Sequence, residues 1–131
     1  MSKTLPFSLN VQALAADMVY AVRKSASTRW PAVRAEAEVE MRKLAQTMLD
    51  IHKLHSGGDI TRTRAKQLLT AQRNSTCAVL KGIKGIGLLT AEATTNAALR
   101  AVATNVNAAV AFRLLPDGEE VKASFKAGKD L

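Results

Sequence analysis

The sequence predicts an all-α protein: a helical bundle built on an antiparallel helical hairpin, with a long C-terminal helix that is continuous, kinked or split near residues 82–87. Two observations carry this prediction. Hydrophobic residues make up 47% of the 131 positions but aromatic residues only 4%, so the core consists of alanine and aliphatic side chains, which favours closely packed helices over sheets. Residues 61–115 also contain no proline and repeat apolar positions every three or four residues, the period of a helix.

The length of the chain predicts a single helical domain over residues 1–131. Within it, the apolar periodicity places the ordered core at about 9–115. The run Pro116-Asp117-Gly118 is a helix stop signal, because proline cannot continue a helix and glycine favours turns. The remaining residues, about 117–131, are polar and are predicted to form a mobile tail.

A short first helix is predicted after residues 1–8, with Ser8 or Asn10 as its cap. Its apolar positions recur at three- and four-residue steps. A polar connection is then expected at about 25–30, and Pro31 suits the first turn of the next helix. The apolar positions of the first helix are Val11, Leu14, Met18 and Val22.

The second helix, predicted over residues 31–56, has the clearest pattern in the chain, because its apolar positions step by four and three as in a heptad seam. Ser56-Gly57-Gly58 ends this helix, and Asp59 or Thr61 can cap the next one. The short connection predicts antiparallel neighbours. The seam consists of Ala37, Met41, Leu44, Met48, Ile51 and His55.

The third segment, residues 60–115, keeps its apolar phase across Gly82, Gly85 and Gly87. Three glycines inside a helix cost about 3 kcal/mol relative to alanine, which packing of a long apolar face can offset. A continuous helix would be roughly 80 Å long and would leave an apolar face without a partner, which predicts a homo-oligomer; a split would instead give four helices. In both cases the predicted core includes Met41, Leu44, Met48, Ile51, Leu69, Val79 and Ile83.

The net charge of +8 is concentrated in two regions. Residues 60–113 carry eight basic residues and one acidic residue, and residues 1–34 carry five and one. Such clustering favours a polyanionic partner, although a solvated basic surface is the alternative. The single cysteine, Cys77, excludes an intramolecular disulfide, leaves an intermolecular one open and fits the cytoplasm. No secretory signal or transmembrane segment is predicted.

The residues from Leu80 to Ala91 resemble the hairpin of the helix-hairpin-helix DNA-binding family, whose signature is an apolar residue, then Gly-apolar-Gly, then a small pair opening the second helix. The resemblance covers about twenty residues. It implies that Gly85, Ile86 and Gly87 form a turn whose amides and following helix N-terminus meet a backbone phosphate, with Lys84 adding charge. Binding to duplex without sequence specificity would follow.

A continuous helix gives a different basis for nucleic-acid binding. At 100° per residue, Arg62, Lys66, Arg73 and Lys84 then fall within about 40° of arc and form a basic ridge roughly 33 Å long. A solvated helix face is the alternative. Taken together, the two interpretations predict that nucleic acid is bound by Arg62, Lys66, Arg73, Lys81, Lys84, Gly85 and Gly87.

Other chemistry finds little support in the sequence. His52 and His55 are three residues apart, but nothing nearby completes a set of metal ligands, so no metal and no cofactor are predicted. No Ser/His/Asp arrangement, paired acid and base, or nucleotide-binding loop can be identified. The sequence therefore predicts a protein that is not an enzyme.

The leading functional expectation is a small basic helical assembly protein that associates with the nucleic-acid backbone. The first alternative is a structural or adaptor protein whose helices self-assemble or bind a protein partner. A third possibility is a protein active at membrane surfaces, since Lys81 and Lys84 lie opposite Val79, Ile83 and Ile86 on a helix.

Overall fold

The computed structural model describes residues 9–115, which form four helices that pack against each other as a bundle. They are α1 (Val11–Ala26), α2 (Trp30–Ser56), α3 (Arg62–Lys81) and α4 (Gly87–Val110). Helices α1 and α3 each pack against both α2 and α4, so the four form a closed ring of neighbours. The predicted all-α bundle is confirmed, whereas the stop signal at Pro116 and the polar tail lie outside the described residues.

The ends of the helices follow from local hydrogen bonding. Asn10 caps α1, because its Oδ1 accepts a hydrogen bond of 2.9 Å from the amide of Ala13. Thr61 caps α3 in the same way, with Oγ1 accepting from the amide of Arg64 at 3.0 Å. Helix α2 has Pro31 in its first turn, as the sequence predicted. Helix α4 starts at Gly87 without a side-chain cap.

The connections between the helices are short. Between α1 and α2 the sequence predicted a polar connection at about 25–30, but α1 continues to Ala26 and a single 3₁₀ turn, Ser27–Arg29, leads directly into α2. The reversal is made at Ser27, whose φ is 54°. The connection after Ser56 contains Gly57 and Gly58, as predicted for the helical hairpin.

Of the alternatives left open at residues 82–87, the structure has the split. Helix α3 ends at Lys81, and residues 82–86 form a turn that reverses the chain into α4. Gly85 and Gly87 have φ values of +88° and +76°, which an L-residue in a right-handed helix does not adopt. The split lets α4 fold back and bury its apolar face within the same chain, so the argument for a homo-oligomer from an unpartnered long helix no longer applies.

The core contains the predicted α2 seam from Ala37 to Ile51, and Leu69 of α3. The last member of that seam, His55, is only half-buried. Two predicted core residues are wrong: Val79 is 36% exposed and Ile83 is only half-buried. Val79 lies about 100° around α3 from the buried Leu80, because consecutive residues of a helix are separated by that angle, so it faces away from the core. Ile83 lies in the turn that follows the end of α3 at Lys81. A second, smaller cluster covers this end of the bundle instead, and its buried members are Ala26, Val33, Cys77, Leu80, Ile86 and Ala91.

None of the helices that the structure describes combines the length and the apolar composition needed to span a membrane.

Replacing the buried carboxylate of Glu40, in α2, is expected to stabilise the protein. Glu40 is 3% exposed; its Oε2 accepts a hydrogen bond from Lys43 Nζ at 3.0 Å, whereas Oε1 is buried without a hydrogen-bond partner among residues 9–115. A buried polar atom left unsatisfied costs about 1–3 kcal/mol. We expect Glu40→Met to raise the free energy of unfolding by about that amount in urea denaturation, since replacing a buried ion pair with an apolar side chain is often stabilising.

Glu38→Met is the matched control for this prediction. It removes the same charge from the same helix, but the Glu38 side chain is 47% exposed and forms only a surface ion pair with Arg34. We expect its effect to stay within about 0.5 kcal/mol. Equal effects of the two substitutions would show that burial of the Glu40 carboxylate is not what matters.

Candidate nucleic-acid interface

Exposed basic side chains gather at one end of the bundle, which we call the basic end. The 27–29 turn and the 82–86 turn both lie there, because each reverses the chain between two antiparallel helices. The two turns touch directly, since Arg29 Nε donates a hydrogen bond of 3.2 Å to the carbonyl oxygen of Gly85. The smaller core cluster lies beneath them. The exposed basic residues of this end are Arg23, Lys24, Arg29, Arg34, Lys81 and Lys84.

The 82–86 turn is built from local hydrogen bonds. The amide of Ile83 donates to the carbonyl of Leu80, and the amide of Ile86 donates to the carbonyl of Ile83, both at 3.1 Å. Gly85 needs its positive φ to redirect the chain, and nothing lies within 4 Å of the position that a Cβ would take. Lys84, which is exposed, therefore lies in a turn with a defined backbone path.

Helix α4 presents its N-terminus at the same place. The first turn of any helix carries amide groups without intrahelical partners, and the helix dipole makes this end partly positive. In α4 no side chain caps these amides and no acidic residue lies in the first turn. Lys81 and Lys84 add two full charges next to this end. The arrangement favours an anion, as helix N-termini commonly do.

The turn and the first residues of α4 lie where the resemblance to the helix-hairpin-helix family implied them. It implied a turn at Gly85, Ile86 and Gly87 that leads into a second helix; in the structure Ile86 is the N-cap and Gly87 the first residue of α4. The chain departs from the family at Thr94, where an apolar residue is usual. Thr94 is buried, and its Oγ1 donates to the carbonyls of Thr90 and Ala91 at 2.9 and 3.1 Å, so the hydroxyl is accommodated within α4.

The predicted basic ridge is wrong, because α3 does not continue through the glycines. Arg62 and Lys66 are exposed, but they lie near the N-terminus of α3, roughly 22–28 Å along the helix from Lys81. The guanidinium of Arg62 sits over the Phe112 ring, 5.4 Å from its centroid. Of the predicted site residues, the structure therefore brings together Lys81, Lys84, Gly85 and Gly87 at the basic end and leaves Arg62 and Lys66 at the other.

Arg73 does not belong to an exposed basic surface. It is 6% exposed, and its guanidinium spans from α3 to α4: Nη2 donates to Asn96 Oδ1 at 3.2 Å and Nη1 to Asn74 Oδ1 at 3.0 Å. The periodicity of the sequence could not show that Arg73 is buried while the basic residues near it on α3 are exposed. Conversely, sequence reasoning missed Arg29 and Arg34, for which the only signal was the charge excess of residues 1–34.

Cys77 is buried in this fold. It is 6% exposed and belongs to the smaller core cluster. Burial raises the pKa of the Cys77 thiol, although the positive charge of Arg73 opposes the rise. Because the thiolate is the form that reacts, the intermolecular disulfide left open by the sequence would require the bundle to open.

The histidines of α2 are occupied with local contacts. His55 packs at a tilt against Phe112, with 4.7 Å between ring centroids, and His52 Nδ1 lies 3.4 Å from Ser56 Oγ. Within residues 9–115 no three histidine, cysteine or acidic side chains come together as metal ligands.

Comparison with known proteins identified no relative of this chain. No protein-family model matches the chain, and no curated protein and no solved structure matches it significantly.

Proposed function

We propose that the protein binds the nucleic-acid backbone without sequence specificity, through the basic end of the bundle, and that it is not an enzyme. The observation that supports this proposal is the uncapped N-terminus of α4 beside Lys81 and Lys84, on a turn fixed by the bond from Arg29 to Gly85. Backbone amides and a helix dipole can meet one phosphate, while the lysines reach phosphates on either side.

The chemistry of the basic end favours phosphate contacts over base recognition. Stacking on bases requires exposed aromatic rings, and Trp30 is half-buried against the core. Tyr20 is 62% exposed, but Lys24 Nζ lies 5.5 Å from the centroid of its ring. Binding is thus expected to come from charge, and to be strongly dependent on salt. The single buried cysteine fits a reducing compartment, and we propose the cytoplasm.

The test is a fluorescence-anisotropy titration of a random-sequence duplex at several salt concentrations. Each lysine that neutralises a phosphate contributes about 0.9 to the slope of log affinity against log salt. We expect Lys81→Gln/Lys84→Gln to lower the magnitude of that slope by about 2 and to weaken binding by roughly tenfold or more at low salt.

Arg64→Gln/Lys66→Gln is the matched control, because it removes two exposed charges at the opposite end of α3. It should leave the slope nearly unchanged. Equal loss in the two double variants would mean that net charge alone attracts the duplex, and absence of binding by the unaltered protein at low salt would refute the proposal.

A second candidate function is self-assembly or binding of a protein partner. Leu88 and Leu89, in the first turn of α4, are 50% and 82% exposed. Single exposed apolar residues are ordinary on protein surfaces, whereas adjacent ones are more typical of contact sites. If the protein self-assembles, sedimentation velocity should show an oligomer whose size does not change with salt concentration, and Leu89→Ser should dissociate it. A monomer at every salt concentration would argue against self-assembly.

A further inference from the structure

Two adjacent leucines are exposed at the basic end, next to its lysines. Leu88 and Leu89 are 50% and 82% exposed, and they follow Lys84 by four and five positions. Phosphate contacts are made by basic and polar groups, so the proposed function gives these two leucines no role. Exposed apolar side chains that lie together mark sites of contact with proteins or membranes.

The turn that precedes these leucines projects into solvent. Gly82, Lys84 and Gly85 are exposed, and no atom lies within 4 Å of the position that a Cβ would take at Gly85 or Gly87. The turn and the first residues of α4 therefore form an outward-facing surface at this end of the bundle. Such a surface can rest on a flat partner.

The charge around the leucines is positive. In the helical turns nearest this end, the six exposed residues of the basic end outnumber the acidic residues Glu36, Glu38 and Glu92. Glu38 forms an ion pair with Arg34, and Glu92 lies one helical turn beyond Leu89, where it is half-buried. The excess of positive charge complements an anionic surface.

A bilayer that contains anionic lipids has both properties that this surface complements. Its headgroups carry negative charge, and the boundary beneath them accepts apolar side chains. We propose that the basic end binds the surface of an anionic bilayer: Leu88 and Leu89 enter the boundary between headgroups and acyl chains, and Lys81 and Lys84 contact lipid phosphates. This inference goes beyond the proposed function and does not depend on it, because the leucines take no part in duplex binding.

Co-sedimentation of the full chain with large vesicles at low salt tests the proposal. We expect binding to vesicles of equal parts phosphatidylcholine and phosphatidylserine, and none to vesicles of phosphatidylcholine alone. Each lysine near an anionic surface strengthens binding about fivefold, so Lys81→Gln/Lys84→Gln should weaken it roughly 25-fold. Leu88→Ser/Leu89→Ser should weaken it by about tenfold or more, because two apolar side chains are no longer buried in the boundary.

Val39→Ser/Leu54→Ser is the matched control, because it removes two partly exposed apolar side chains, 47% and 39% exposed, from α2. It should leave vesicle binding unchanged. The Leu88→Ser/Leu89→Ser variant should keep the duplex affinity and the salt slope of the unaltered protein. Failure of this inference is thereby distinguished from failure of the proposed function.

Leu89→Trp gives a direct signal of entry into the bilayer. On anionic vesicles its fluorescence emission should shift to shorter wavelength by more than that of the unaltered protein, in which Trp30 is the only tryptophan. The proposal would be overturned by equal binding to the two kinds of vesicle or to neither, by equal losses in the two serine variants, or by an unshifted emission of Leu89→Trp.

Discussion

Replacing Gly85 and Gly87 together by alanine is expected to lower the free energy of unfolding by about 2–4 kcal/mol. Both residues have positive φ, and an L-residue with a Cβ pays roughly 1–2 kcal/mol in the left-handed region. At either residue, no atom lies within 4 Å of the position that a Cβ would take, so the cost comes from the backbone conformation and not from a clash. Urea denaturation monitored by circular dichroism measures it.

Gly82→Ala is the control within the same segment. Gly82 has a φ of −72°, and an added Cβ would make ordinary contacts with the carbonyl oxygens of Val79 and Ala78, at 3.4 and 3.6 Å. This substitution should be neutral or should stabilise by up to about 1 kcal/mol, because it reduces the entropy of the unfolded chain. A helix continuous through the glycines predicts the opposite for the pair, since each alanine would then stabilise by about 1 kcal/mol.

The sequence predicted α2 well because one physical signal determined it. Its seam of apolar positions is buried from Ala37 to Ile51, and Met41, Leu44 and Met48 are completely buried. The segment after Thr61 gave two conflicting signals. Its phase continued through the glycines, but phase records only the spacing of apolar residues and not whether the backbone between them stays helical.

The candidate site was only partly predictable, since it depends on which ends of the helices meet. Arg29 and Gly85 are 56 positions apart, and only the alternation of the four helices brings them together. The burial of Arg73 could not be predicted for the same reason, because it depends on a contact between residues far apart in the sequence. Its bond to Asn96 crosses 23 positions, and without that partner the arginine looked like any other basic residue on a helix face. Lys81 and Lys84 lie near each other in any case, because they are close together along the chain.

The seam of α3 provides the second large expected effect. Leu69 and Val79 belong to the same predicted seam, but Leu69 is 1% exposed and Val79 is 36% exposed. We expect Leu69→Ala to destabilise the protein by about 2–5 kcal/mol, because it removes buried methyl groups and leaves a cavity. Val79→Ala should cost less than about 1 kcal/mol, since its side chain is already in contact with water. Urea denaturation of both variants, with equal slopes required for comparison, measures the difference.

The contrast between these two variants tests the physical reason for the fold. In the structure the last turns of α3 are buried through Cys77 and Leu80, and Val79 faces outward because it lies about 100° around the helix from Leu80. A long uninterrupted helix would instead bury Val79 in the same interface as Leu69, and its truncation would then cost a similar amount. Equal losses would therefore contradict the turn at residues 82–86, and with it the placement of Lys84 and of the α4 N-terminus at the basic end.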